Sequence, residues 1–288
     1  MVRQHRPPAE RVRDRLRSAA GEEAAHAMPS GYQRLGRVLV LRLPESLRPH
    51  YALIGDAWRA ELGVSSVLVR TGPIEGESRR PRTELIAGVG TETEVVEHGV
   101  RWQFDAAAVM FASGNRVERV RAGRLVRSGE VVADLFAGIG YFTIPAARSG
   151  PATRVVAVEK NPVAHAYLVA NVALNRVADR VETLEGDNRK VVLSARSFDR
   201  VFLGYLPSAL PWVGRAAALV RPTGGWIHVH TVEDARTACP TAIAAVEAAV
   251  RAAGARPLEP FRAREVKPYG PGRTHVVVDA RVAPPAGG

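Results

Sequence analysis

From Val131 onward, short valine-rich runs alternate with longer helix-patterned stretches, and this alternation restricts the fold more than any other feature. VVADLF leads into a helical stretch to about Arg148, and RVVAVEK into one through Asn175. VETLEGD follows. DRVFLGYL leads to a helix ending near Val220 and then to GGWIHVHTV. A further helix over 241–253 precedes a last strand, THVVVDARV. Apolar runs too short for helices, separated by helix-length segments, predict an α/β architecture: a mostly parallel, Rossmann-like sheet with helices on both faces.

The chain before this region reads differently. PAERVRDRLRSAAGEEAAHA is a charged amphipathic helix with proline near its start, followed by a turn-rich linker over 28–36. RVLVLRLP and SSVLVRTG are strands flanking a helix over 50–63 that Gly63 stops. PIEGESRRPRTELIAG is a basic loop running into a short strand, and TETEVVEHGVRWQFD alternates like a hairpin around His98-Gly99. The expected organisation is a basic helical extension (1–29), a small α+β domain that presents substrate (30–115) and a Rossmann-like catalytic domain (116–288). The PPAGG tail is expected to fray.

Ligands of such folds bind at the carboxyl ends of the strands. DLFAGIGYF places Gly138 and Gly140 directly after the first strand, where a Cβ would restrict the backbone and block close approach. A dinucleotide loop would carry a third small residue where Thr143 stands, which disfavours a pyrophosphate and hence a dehydrogenase. Glu159 ends the next strand, 25 residues after Asp134, where an acid can bind both ribose hydroxyls. Asp187, in EGDN after the third strand, stands where a carboxylate reaches an adenine amino group. Taken singly, Glu159 reads equally as a solvated strand end and Asp187 as a helix cap. Together, in order at three successive strand ends, they suit a cofactor with adenosine but no phosphate: S-adenosylmethionine. Asp134 is then placed to balance its ammonium group.

The formal charge is +11, with only Lys160, Lys190 and Lys267 as lysines. Genome composition explains arginine in place of lysine but not the net positive charge, which favours a polyanionic partner. The single cysteine, Cys239, excludes an internal disulfide and a cysteine metal cluster. No run of about 18 apolar residues is present, and the basic N-terminus has no apolar core behind it. A cytoplasmic enzyme, with no membrane and no obligate protein partner, is the expectation.

DLFAGIGYFTIPAA, AVEKNPVAHAYLVANVALN, EGDNRK, DRVFLGYLPSA and GGWIHVHTV resemble the enzymes that modify the guanosine 3′ to the tRNA anticodon. FDAAAVMFASGNRVERVR, SRRPRTELIAG and VKPYGPGRTHVVVDARV resemble the same group, so the likeness runs over roughly residues 35 to 282. It implies a class I methyltransferase-like fold with a C-terminal antiparallel strand, S-adenosylmethionine as co-substrate without a metal, and the tRNA anticodon stem-loop as partner. Two subgroups compete. One methylates guanosine N1 and carries Asn-Leu-Pro after the fourth strand. The other, the wyosine-pathway aminocarboxypropyltransferases, carries Gly-Tyr there and Asp-Asn-Arg after the third strand. Gly204-Tyr205, Asp187-Asn188-Arg189 and the histidines of IHVHTV are similar to the second. Which carbon of a sulfonium is transferred depends on which one faces the nucleophile in line, so cofactor orientation sets the product.

The resemblance implies cofactor contacts for Asp134, Phe136, Gly138, Gly140, Phe142, Glu159, Lys160, Asp187 and Asn188, and catalytic positions for Arg82, Glu118, Gly204 and Tyr205. Phe142 reads equally as a core aromatic, and Tyr205 as a packing residue. Arg82, Glu84, Glu118 and Arg119 read equally as surface salt bridges. His228 and His230 share one strand face but lack the companion ligands of a metal site. Arg79, Arg80 and Arg82 are candidate phosphate contacts. The resembling group has a lysine where this chain has Ala108. Alternative readings are a guanosine N1-methyltransferase, a transferase acting on a small molecule and a non-catalytic RNA-binding module.

Overall fold

The computed structural model describes residues 6–77, 79–150 and 153–286, so the first five residues of the basic extension and the last two of the PPAGG tail lie outside it. The chain divides into two compact units, Met1–Phe111 and Ala112–Gly288.

In the first unit, α1 (Pro8–Ala27) is interrupted at Gly21, whose φ of 91° breaks the helical course. It is not a free extension. Val12 and Leu16 are buried in one cluster with Leu39, Leu41, Ile54, Trp58, Val67 and Val69. The segment expected as a linker contains a strand, β1 (Tyr32–Leu35), which pairs antiparallel with β2 (Val38–Leu41). Its local sequence is weakly patterned, and it is ordered by the ladder and by Tyr32 lying against Trp58. Then follow α2 (Tyr51–Leu62), β3 (Ser66–Arg70) and β4 (Thr83–Gly88), giving a sheet of order β1-β2-β3-β4 with β2 and β3 parallel. Gly63 ends α2 at φ 62° and donates its amide to Arg59 O at 2.9 Å, the left-handed cap expected for it. The hairpin β5 (Glu92–Glu97) and β6 (Val100–Asp105) turns at His98-Gly99 as the alternation requires.

The second unit opens with α3 (Arg116–Leu125). It continues through β7 (Val131–Asp134), α4 (Thr143–Ala147), β8 (Arg154–Glu159), α5 (Pro162–Leu174), β9 (Val181–Glu185), β10 (Arg200–Leu203) and α6 (Val213–Leu219). The remaining elements are β11 (Gly225–Asp234), α7 (Ala238–Ala252), β12 (Arg256–Pro257), β13 (Arg262–Gly270) and β14 (Arg273–Ala283). The strand order is β12-β14-β11-β10-β7-β8-β9. The five strands from β9 to β11 are parallel; β14 joins β11 antiparallel over ten residue pairs, with β13 alongside it. This is the class I arrangement. β13 has no counterpart in the sequence reading, because its polar residues show no period-2 pattern and it is held by its ladder to β14.

The two faces of this sheet differ in chemistry. One face is aliphatic: Ala133, Val201, Leu203, Ile227, Val229, Val276 and Val278 pack in one cluster with α6 and α7. Alternate residues point to the other face, and there Asp134, Arg200, His228, His230 and His275 are buried and Asp279 is partly buried. Such groups are tolerated only if paired. Glu130 takes Arg200 in a bidentate pair at 2.8 and 3.0 Å. Arg200 reaches His228 Nε2 at 2.7 Å. A guanidinium only donates, so Nε2 accepts and Nδ1–H donates to Asp279 at 2.6 Å. Asp279 also takes Arg121, which binds Glu118 at 2.9 Å.

Candidate active site

The loop after β7 is built around its two glycines. Gly138 and Gly140 sit at φ 57° and 103°, values that side chains rarely adopt. At Gly140 a Cβ would also stand 2.7 Å from Ile144 Cδ1. Three backbone bonds tie the loop to neighbouring strands and to itself: Leu135 N to Phe202 O, Ala137 N to Val158 O and Gly140 N to Ala137 O. Asp134 holds it from inside. Its carboxylate accepts the Thr143 hydroxyl at 2.8 Å and the Phe136 amide at 3.3 Å. It is fully buried and both its oxygens accept within the loop, the geometry of a loop anchor. Burial pushes its pKa up to about 6. Thr143, read only as a departure from the dinucleotide pattern, is the donor this buried acid requires.

Glu159 ends β8 with Oε2 accepting from Gly138 N and Oε1 from Asn161 N, each at 2.7 Å. Burial raises its pKa against the pull of these amides. Each oxygen keeps a lone pair for a further donor such as a ribose hydroxyl. After β9, Asp187 is held well below the carboxylate range by hydrogen bonds from Arg189, and Lys160 Nζ stands 3.4 Å away. Asn188 is buried and donates its amide to Leu135 O at 3.0 Å; its Oδ1 is enclosed with no hydrogen-bond partner. An enclosed acceptor without a donor is costly, and an adenine amino group would satisfy it. The glycine cradle and this orphaned acceptor therefore suit an adenosyl ligand.

At the end of β10, a Cβ on Gly204 would lie 2.6 Å from Phe142 Cε2. Phe142 in turn packs on Phe202 and His230 at centroid distances of 5.5 and 5.2 Å. Phe136, Tyr205 and Trp212 form an aromatic cluster with centroids 5.0–5.2 Å apart, suited to stacking a flat ring. Trp212 had no signal in the sequence; it enters only because the 210–212 turn folds back on the carboxyl ends of β7 and β10.

The structure brings Phe136, Gly138, Gly140, Phe142, Glu159, Asn188, Gly204 and Tyr205 around one set of strand ends. Glu118 and Arg119 are buried rather than in surface pairs. Both Glu118 oxygens are occupied, by Arg121 at 2.9 Å and Arg264 at 3.0 Å, while burial raises its pKa. That is the geometry of an anchor for α3, not of a free base. Arg82 belongs to the first unit, where it pairs with Glu75 at 3.3 Å. His230 Nδ1 lies 2.8 Å from His275 Nε2, and burial holds His230 neutral.

Comparison with known proteins matches residues 93–256 to the TRM5/TYW2 methyltransferase domain and residues 12–91 to the TYW2 N-terminal domain. A Pyrococcus horikoshii protein named tRNA(Phe) (4-demethylwyosine(37)-C(7)) aminocarboxypropyltransferase is 34% identical over 272 residues, covering 94% of this chain and 96% of its own length. The crystal structure of P. horikoshii TYW2 in complex with MeSAdo superimposes with a TM-score of 0.82 at 31% identity, over 96% of this chain and 99% of that one. That of M. jannaschii TYW2 in complex with AdoMet gives 0.71 at 30% identity, over 88% of this chain and all of that one.

Proposed function

This chain belongs to the family of the TRM5/TYW2 methyltransferase domain, and from that premise we propose that it moves the 3-amino-3-carboxypropyl group of S-adenosylmethionine onto 4-demethylwyosine beside the tRNA anticodon. The bond from the sulfonium sulfur to the methionine γ-carbon breaks, that carbon bonds to the base, the base loses a proton, and 5′-methylthioadenosine leaves as a neutral thioether. The sulfonium is already activated, so positioning and electrostatics supply the acceleration. In this reading Glu159 takes the ribose hydroxyls, Asp187 and Asn188 the adenine edge, and Gly138 and Gly140 admit the ligand past their backbones. Phe136, Tyr205 and Trp212 offer the stacking surface. The anticodon stem-loop is the part of the tRNA engaged, and the cytoplasm is where it is met.

The observation that carries the reading is the match to aminocarboxypropyltransferases along nearly the whole chain, N-terminal domain included. The Gly204-Tyr205 pair after β10, where the methylating subgroup carries Asn-Leu-Pro, supports it.

The test is mass spectrometry of the products formed from labelled S-adenosylmethionine and tRNA bearing 4-demethylwyosine. Methylthioadenosine, with the matching mass gain on the tRNA, is expected. S-adenosylhomocysteine with a methylated base would overturn the reading in favour of the N1-methyltransferase.

A further inference from the structure

The first unit carries a pair of arginines that no acid among the described residues neutralises. Leu39 and Leu41 of β2 and Val67 and Val69 of β3 face the buried cluster. Alternate residues face the other way, and the parallel register that pairs Leu41 with Val69 brings Arg42 beside Arg70 at the next step. Arg70 pairs in turn with Thr83 of β4. The three residues thus stand at adjacent strand ends, with Arg70 opposite Thr83 and the Arg42 charge acting on Arg70.

Among the described residues, neither arginine has a hydrogen-bond or ion-pair partner, and Arg70 Nε is buried without an acceptor. The nearby acids are taken: Glu75 pairs with Arg82, and Glu84 with Arg48 at 3.1 Å. Burial, and then the charge of Arg42, hold the Arg70 guanidinium below its ordinary pKa. A half-buried cation beside a like charge costs stability until an anion arrives. Arginine's planar fork suits the oxygens of a phosphate. Of the three loop arginines expected for this role, Arg82 pairs with Glu75 and Arg79 lies against Met110 Sδ at 3.7 Å.

Building on the functional reading above, we propose that Arg42 and Arg70, with the Thr83 hydroxyl, form a binding site for a backbone phosphate of the substrate tRNA. The experiment titrates the full chain with a fluorescently labelled tRNA(Phe) anticodon stem-loop at several KCl concentrations and follows anisotropy. Arg42→Gln/Arg70→Gln should raise Kd about tenfold, the loss of one or two charge-assisted bonds. It should lower the slope of log K against log salt by about 0.7–0.9, one phosphate contact. Arg42→Lys/Arg70→Lys should keep most of that slope. S-adenosylmethionine affinity should stay at the parental value, reporting an intact fold. If the double variant does not fold, Arg42→Gln alone must weaken RNA binding, since Arg42 is exposed.

Parental Kd and slope in the glutamine variants would overturn the proposal. The two readings fail separately. Loss of RNA affinity in a chain that forms no methylthioadenosine leaves this site standing and removes the reaction. Methylthioadenosine formation with unaltered RNA binding in the variants removes this site alone.

Discussion

Replacing Gly204 by alanine tests whether the end of β10 is built around the Phe142 ring. The backbone there is not left-handed, so the substitution acts through space alone. The added Cβ would lie 2.6 Å from Phe142 Cε2 and 3.2 Å from Cδ2, where ordinary contact begins near 3.4 Å, so the ring must retreat by nearly an ångström. It has little room, because Phe202 and His230 stack on it and the whole side chain is buried. Overpacking of this kind costs about 1–3 kcal/mol. Phe142 caps the glycine loop at the start of α4, so the strain falls on the cofactor cradle, and S-adenosylmethionine affinity should drop about tenfold, 1.4 kcal/mol per decade. Calorimetric titration and thermal melts of the parent, Gly204→Ala, Phe142→Ala and the double variant measure the coupling. In the Phe142→Ala background the clash is gone, and Gly204→Ala should be nearly neutral, a non-additivity of about 1–3 kcal/mol. Equal costs in both backgrounds, or parental affinity in the single variant, would refute the argument.

Three further outcomes are expected. The Asp134 pKa of about 6 in the fold lies above the unfolded value near 3.8, so its share of stability is complete below about pH 4 and is lost as pH rises through 6. Denaturation of the parent and Asp134→Asn across pH 4–7 should show the variant gaining relative to the parent by about 2 kcal/mol, and a pH-independent difference would contradict this. Glu159→Gln keeps one acceptor and turns an amide donor toward a backbone N–H. Cofactor affinity, read by calorimetry, should fall about ten- to a hundredfold, and unchanged binding would remove Glu159 from the site. Asp279→Ala leaves the buried His228 and the half-buried Arg121 without the carboxylate that, despite its own partial burial, their contacts hold at a pKa of about 2. A loss of about 3–5 kcal/mol is expected in chemical denaturation, and a loss under about 1 kcal/mol would show that the network is dispensable.

The alternation after Val131 determined the parallel sheet, because strand and helix periods are local properties of the chain. The strand-end positions of Gly138, Gly140, Glu159 and Asn188 followed from the same local rule, since a β-strand followed by a glycine loop can point its ligand-facing groups in only one direction. Gly63 and His98-Gly99 announced a helix end and a hairpin for the same reason. Other features were invisible until the chain closed on itself. β1 and β13 have little pattern of their own and exist because a neighbouring ladder satisfies their backbones. Asp134 has the sequence of a ligand contact and the burial of an anchor, a difference set by Thr143 nine residues away. His228 and Asp279 are 51 residues apart and become partners through the β11–β14 register. Arg42 and Arg70 look like two ordinary surface arginines in a basic chain until parallel pairing sets them side by side. Local periodicity specifies which way a residue faces; only long-range packing decides which group it meets there, and that meeting sets charge, strain and chemistry.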